Sequence, residues 1–230
     1  MKYQAVIFDL DGVICNTDRF HYLAWKKIAD ELGVSFDDTM NNRLRGVGRM
    51  ESLDLLLSSR SDEFSQESKK AYAEKKNGLY REFLENMSPQ DLDPDVKKTL
   101  DRIKSQGIKI AIGSSSKNAK LILRQIGLEN YFHAVSDGTN ITRCKPDPEV
   151  FLKASAFLGV EPRFCLVVED AESGLKAAAA AGMDSAAVGD AVRDSAADYH
   201  VDKLSDLLPY LSLNTSSISR ISPDEKNTGT

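Results

Sequence analysis

A chain of 230 residues that is 41% hydrophobic and 28% charged has the composition of a folded globular protein of one to two domains, and excludes an intrinsically disordered one. Thirty basic against 35 acidic side chains leave a net charge of −5, which argues against a general binder of nucleic acid or of an anionic membrane, because phosphate surfaces are held mainly by positive charge. The N-terminal apolar run meets Asp9 too soon for a signal-peptide core or a membrane span, so a cytoplasmic protein is expected; Cys15, Cys144 and Cys165, odd in number and without CxxC spacing, read as free thiols.

Ala5-Val6-Ile7-Phe8 is a short continuous apolar run opening into Asp-Leu-Asp-Gly, the pattern of a buried parallel strand entering a loop. The stretch that follows has no strand-like run. Phe20, Leu23, Ala24, Ile28 and Leu32 form one helical stripe, and Tyr72, Leu79, Tyr80, Phe83 and Met87 another. Residues 16–88 are therefore expected to be a helical cap domain, inserted after the first strand and lying above the carboxyl ends of the sheet, where a lid belongs. Helices predicted at Pro94–Ser105, Asn118–Ile126, Pro148–Leu158 and Ser173–Ala181 alternate with strands at Ile108–Ile112, Ala134–Ser136, Cys165–Val168 and Ser185–Val188. Glycines 107, 127, 159 and 182 close the helices. Such alternation makes an α/β fold with a parallel sheet flanked by helices, its core built from residues 1–15 and 89–213. The last stretch, 214–230, is rich in Ser, Asn, Thr, Asp and Lys and reads as a flexible tail.

Polar residues stand at the ends of these strands: Asp9 and Asp11, Ser114, Lys145, and Glu169 with Asp170. In a parallel sheet these ends converge on one crevice. Clustered carboxylates repel unless a cation lies between them, so Asp9, Asp170 and Glu169 suggest a hard divalent ion, with Mg²⁺ the natural candidate beside a phosphate. Ser114 and Lys145 supply the hydroxyl and the positive charge that phosphate oxygens need, and backbone amides near Ser115 add donors. A carboxylate in such a place can attack phosphorus, and a second one two residues on can carry the alcohol's proton. Taken singly, each of these residues has an ordinary explanation as a cap, turn or surface charge; together, in this order, they define a site.

In this order, Asp9-Leu10-Asp11-Gly12-Val13, Ser114, Lys145-Pro146 and Glu169-Asp170 resemble the four motifs of the haloacid dehalogenase superfamily, over about the first 190 residues. The resemblance implies a Rossmann-like core with a helical cap of the C1 type, Asp9 as nucleophile and Asp11 as general acid/base. It also implies Mg²⁺ held by Asp9, the Asp11 backbone carbonyl, Glu169 and Asp170. Within the superfamily the cap resembles that of the β-phosphoglucomutase family, on Asn16-Thr17-Asp18 with His21 and Trp25, on Leu44-Arg45-Gly46-Val47-Gly48-Arg49 with Glu51-Ser52, on Lys76-Asn77 and Ser88-Pro89, and in the core on Ser114-Ser115-Ser116-Lys117-Asn118.

That likeness implies that Arg49, with Lys117 and Asn118, grips a distal phosphate. Thr17 and His21 orient Asp11, and Trp25, Arg45, Gly46, Ser52, Lys76, Ser114 and Ser115 complete the binding set. Trp25 and His21 have the alternative of simple core packing. The implied activity is interconversion of β-glucose 1-phosphate and glucose 6-phosphate by a monomeric enzyme whose partners are sugar phosphates. The same strand-end residues serve a phosphosugar or phosphoglycolate phosphatase equally well. A phospho-acceptor module of the receiver type shares the acidic site and the lysine, and the insert weighs against it.

Overall fold

The structure is a computed structural model that describes residues 2–44, 47–189 and 196–212, so the expectations for Arg45, Gly46 and the 214–230 tail lie outside the described residues. Among the described residues, six parallel strands form one sheet: β1 (Ala5–Phe8), β2 (Lys109–Gly113), β3 (Ala134–Ser136), β4 (Cys165–Glu169), β5 (Asp184–Val188) and β6 (Tyr199–Val201), in the spatial order β3-β2-β1-β4-β5-β6. In register, Phe8 of β1 lies beside Ile112 on one side and Val168 on the other. The chain reverses its direction of winding between β1 and β4, and ligands of open α/β sheets bind outside the carboxyl ends at such a point.

Every residue of β1 is buried, and the period of two sorts the strand between two cores. Val6, Phe8, Ile110, Ile112, Leu166 and Val168 point to one face, against α5 (Pro94–Ser105) and α6 (Ala119–Gln125). Ala5, Ile7, Ala111, Cys165 and Val167 point to the other, against α7 (Glu149–Leu158) and α8 (Glu172–Ala180). Continuous apolar runs read as two-sided burial for this reason. Three of the four helices named here begin one residue away from the predicted start, and two of the five predicted strands agree in both limits, a margin set by fraying caps. Strand β6 was not expected; three residues, one of them His200, carry too little pattern to register. A short α9 (Leu208–Ser212) follows it.

Between β1 and β2 the chain is helical, as α1 (Asp18–Leu32), α2 (Asp38–Leu44), α3 (Arg49–Leu57) and α4 (Gln66–Leu84). These helices bury a third apolar cluster of their own, with Trp25, Ile28, Leu53, Leu56 and Ala73 inside it. The cysteines at 15, 144 and 165 are all free, and no helix among the described residues is long and apolar enough to cross a membrane.

Candidate active site

A cavity of about 550 Å³ lies between the carboxyl ends of the strands and the helices of residues 18–84. Asp9, Asp11, Ser114, Ser115, Lys117, Asn118, Lys145, Glu169 and Asp170 line its floor, and His21, Trp25, Arg49, Ser52 and Lys76 line its roof. Thr17 stands one layer behind, fully buried, and is joined to the cavity wall through Asp11 and Tyr80.

On the floor, Asp9 continues the β1 ladder, its N–H donating to the Val168 carbonyl at 2.9 Å. The Lys145 ammonium donates to the Asp9 Oδ1 and to the Glu169 Oε1, and all three side chains are close to fully buried. Burial alone would strip Lys145 of its proton; the Asp9 and Glu169 charges outweigh burial and hold the ammonium well above its usual range. Burial pushes the Glu169 carboxyl up, the Asp9 and Asp170 charges add to this, and Lys145 opposes it. Asp9 and Glu169 share one lysine and Asp170 stands close beside them, a crowding of carboxylates that a divalent cation would relieve.

Asp9, Glu169 and Asp170 each offer an oxygen, all within 4.8 Å of one another, and an all-oxygen donor set suits a hard cation. Glu169 is already engaged through both oxygens, since Oε2 accepts the N–H groups of Asp170 and Ala171 at 3.0 Å each. Two glycines make room for this cluster. Gly12 adopts φ +86°, and a Cβ there would land on the Asp170 carboxylate; a Cβ at Gly174 would land on that of Glu169. Sequence reading passed over Gly174, whose position inside a helix looks only unfavourable.

Asp11 belongs to a second chain of contacts. The Tyr80 hydroxyl donates to Thr17 Oγ1 at 3.1 Å, and Thr17 Oγ1 donates in turn to Asp11 Oδ1. Thr17 occupies the N-cap position of α1 without making the usual cap bond, because its hydroxyl serves Asp11 instead. Burial and then the Asp9 charge push the Asp11 carboxyl up to about 7, against the Thr17 hydrogen bond and the charges of Lys145 and Lys76. A carboxyl poised there can both give and take a proton near neutrality.

The roof is basic. Lys76 Nζ donates to His21 Nδ1 at 2.7 Å and lies over the Trp25 and Tyr80 rings at 5.0 and 4.7 Å. Burial, then Arg49, bring Lys76 down to about 7; burial, then Lys76 and Arg49, hold His21 neutral. The structure thus joins Trp25 both to the apolar cluster of its own helices and to the cavity wall. Ser52 is buried, with its hydroxyl directed to the Val47 carbonyl at 3.5 Å.

Floor and roof meet at several places. Asn118 Nδ2 donates to Asn77 Oδ1 at 2.9 Å, and Gly48 approaches Cys144 so closely that a Cβ there would stand 3.1 Å from its sulfur. Ser114 Oγ accepts from the Ser116 N–H at 3.1 Å, and Ser115 Oγ from the Lys145 N–H at 3.4 Å, which holds the loop after β2 against the loop that carries Lys145. Glu74, which ion-pairs with Arg49, escaped the sequence reading, as did the polar role of Tyr80, counted there only as apolar stripe.

The cavity floor thus gathers carboxylates after β1, a serine after β2, a buried lysine in the loop after β3 and carboxylates at the end of β4. The model of the haloacid dehalogenase-like hydrolase family matches residues 3–182. The chain belongs to that family. It is 41% identical over 206 residues to the β-phosphoglucomutase of Bacillus subtilis, covering 89% of this chain and 91% of that one. It is 33% identical over 184 residues to a phosphorylated carbohydrates phosphatase of Thermotoga maritima, covering 79% of this chain and 82% of that one. Among solved structures, the β-phosphoglucomutase of Clostridium difficile superposes with a TM-score of 0.86 at 37% identity, over 91% of this chain and 95% of that one. This is an enzyme of the haloacid dehalogenase family with the family's parallel-sheet core.

Proposed function

We propose that this enzyme is a β-phosphoglucomutase, interconverting β-glucose 1-phosphate and glucose 6-phosphate through β-glucose 1,6-bisphosphate. The observation that carries the reading is the roof: the cavity that holds the carboxylate floor is closed above by Arg49, with Lys76 beside it, so it offers a second anion-binding end facing the first. Hydrolysis of a monophosphate needs one such end; a bisphosphate needs two. The 41% identity to a β-phosphoglucomutase supports the same choice.

In this mechanism Asp9 Oδ carries the phosphoryl group and the sugar phosphate binds with its existing phosphate against Arg49, Lys117 and Asn118. Asp11 takes the proton of the attacking sugar hydroxyl as the phosphoryl group leaves Asp9. The bisphosphate then turns round and presents its other phosphate to Asp9, and Asp11, now protonated, returns the proton to the departing oxygen. Lys145 offsets charge on the transferring group throughout, so positioning and electrostatics carry most of the rate. When bound by Asp9, Asp170, Glu169 and the Asp11 carbonyl, Mg²⁺ supplies further positive charge at the transferring phosphoryl group. We take residues 16–88 as a lid whose closure excludes water, the competing acceptor. Partners beyond the sugar phosphate are not required.

The test is an assay with β-glucose 1-phosphate, Mg²⁺ and a trace of phosphorylating agent, following glucose 6-phosphate and inorganic phosphate together. Glucose 6-phosphate formed much faster than phosphate is the expected outcome; phosphate without isomerisation overturns it. A phosphosugar phosphatase is the second reading, favoured by the 33% identity to a carbohydrate-phosphate phosphatase. Arg49→Ala separates the two. It should cut isomerisation by roughly a hundredfold while leaving aryl-phosphate hydrolysis within about threefold. Equal loss of both would remove Arg49 from the distal site.

Thr17→Val probes Asp11. The lost O–H favoured the charged carboxylate, so the Asp11 pKa rises from about 7 and the base form becomes scarcer at low pH. The acidic limb of kcat/KM should therefore move up in pH, with the rate at pH 6 falling roughly threefold to tenfold more than that at pH 8. A parallel drop at all pH values would show a structural role only.

A further inference from the structure

We propose that Glu74 is a built-in competitor for Arg49, a carboxylate at the rim of the cavity that loosens the hold on the distal phosphate so that the bisphosphate can let go and turn round. The inference rests on the reading of the preceding section. Arg49 Nη1 donates to Glu74 Oε1 at 2.8 Å. The guanidinium is mostly enclosed, with 21% of the side chain exposed, whereas Glu74 is 72% exposed. Both line the cavity.

Arg49 also stands near enough to Lys76 and His21 to disfavour the protonated form of each. Arg49, left without a counterion, would clamp a phosphate dianion, and the bound dianion would in turn favour the protonated form of Lys76. Glu74 occupies one of the guanidinium's N–H groups and repels an incoming phosphate, and its exposure lets the carboxylate swing into water when a phosphate arrives and return when it leaves. That matters for a reaction whose intermediate must bind in two orientations: in each turnover the phosphate held by Arg49 has to leave it for Asp9. A grip of fixed strength makes a stable complex with the intermediate and slow turnover; uniform binding gains nothing in kcat.

The experiment is steady-state kinetics of Glu74→Gln, which keeps the side chain's shape and an accepting amide oxygen and removes the charge. KM for β-glucose 1-phosphate should fall by about threefold to tenfold, with the difference shrinking as salt is added. The kcat of isomerisation should fall with it. Hydrolysis of an aryl phosphate, which has no second phosphate, should not change, and Glu74→Asp, which keeps the charge, should stay close to the parent in both KM and kcat. An unchanged or raised KM in Glu74→Gln overturns the proposal; a raised one would make Glu74 a prop that aims Arg49. Failure of the unsubstituted protein to isomerise the sugar phosphate would instead remove the reading on which the proposal stands.

Discussion

Asp9→Asn should abolish both isomerisation and aryl-phosphate hydrolysis, by at least about ten-thousandfold, because an amide does not attack phosphorus and no neighbouring group can take its place. The change is nearly isosteric, and the backbone bond from Asp9 to Val168 does not depend on the side chain, so the fold should persist. It also removes one of three crowded carboxylates, Asp9, Glu169 and Asp170, while leaving Lys145 its bond to Glu169. The melting temperature without Mg²⁺ is accordingly expected to stay within about 3 °C of the parent. Because both proposed readings, with water or sugar as acceptor, route transfer through an aspartyl phosphate on Asp9, this variant tests the nucleophile under either. Retention of more than about 1% of either activity in a protein freed of parent enzyme would transfer the nucleophile's role elsewhere.

Lys145→Met is expected to act on stability as strongly as on rate. Its ammonium is buried between Asp9 and Glu169, and removing one partner of a buried ion pair leaves uncompensated charge, at a cost of about 3–5 kcal/mol. In a chain of this size that corresponds to a melting temperature lower by about 10 °C. The dependence on pH follows from the sign of the shift. Without the lysine, the charges of Asp9 and Asp170 and the burial that already push Glu169 up act unopposed, so its folded pKa lies above the unfolded value. The folded state then binds more protons than the unfolded one between those two values, and stability falls as pH rises through that window. The parent's Glu169 is itself already pushed up to about 8, so the deficit relative to the parent should grow as pH rises above 8. Mg²⁺ should recover part of it by replacing the missing positive charge, an effect visible as a rise in melting temperature with added ion. A variant that melts within about 2 °C of the parent at pH 8 without Mg²⁺ would show that the pair contributes little.

Much of the floor is legible in the order of residues along the chain. Asp9, Ser114 and Glu169 lie at or just beyond the ends of short apolar runs, with Lys145 in the loop that follows the third, and a parallel sheet brings such ends to one side by geometry alone. The apolar run of β1 and the helices between the strands are local patterns, set by side-chain period, and they survive in the fold almost residue for residue. The site's second tier is not legible in this way. Tyr80 looks like one more apolar stripe residue, and Thr17 is tied to Asp11 only through the family resemblance, yet their hydroxyls form a chain to Asp11 across 63 and 6 positions of sequence.

Helix α4 shows where the limit falls. Lys69, Ala73, Lys76, Tyr80 and Leu84 are its buried residues, whereas Tyr72, Leu79 and Phe83 of the expected stripe are only half-buried, so the buried face is turned from the one the apolar period marks and carries two lysines. Periodicity could not say what each lysine meets. Lys69 pairs with Asp54 at 2.8 Å and donates to the Ser61 hydroxyl, a structural arrangement. Lys76, two turns on, turns to His21 and faces the cavity. Glu74, on the opposite side of the helical wheel from Lys76, reads as an exposed charge until α3 lays Arg49 against it.

By itself, then, the sequence determined the alternation of strands and helices, the helical insertion and the acidic strand ends, because these depend on residues near one another in the chain and on the handedness of the backbone. Beyond what the family resemblance implied for Lys76 and Thr17, only the tertiary structure decided what each lysine of α4 meets, which glycines make room for carboxylates and how the Tyr80 and Thr17 hydroxyls reach Asp11. Those outcomes turn on contacts between segments as far apart as Asp9 and Lys145, and on how much water each contact excludes, neither of which is written in any local stretch of the chain.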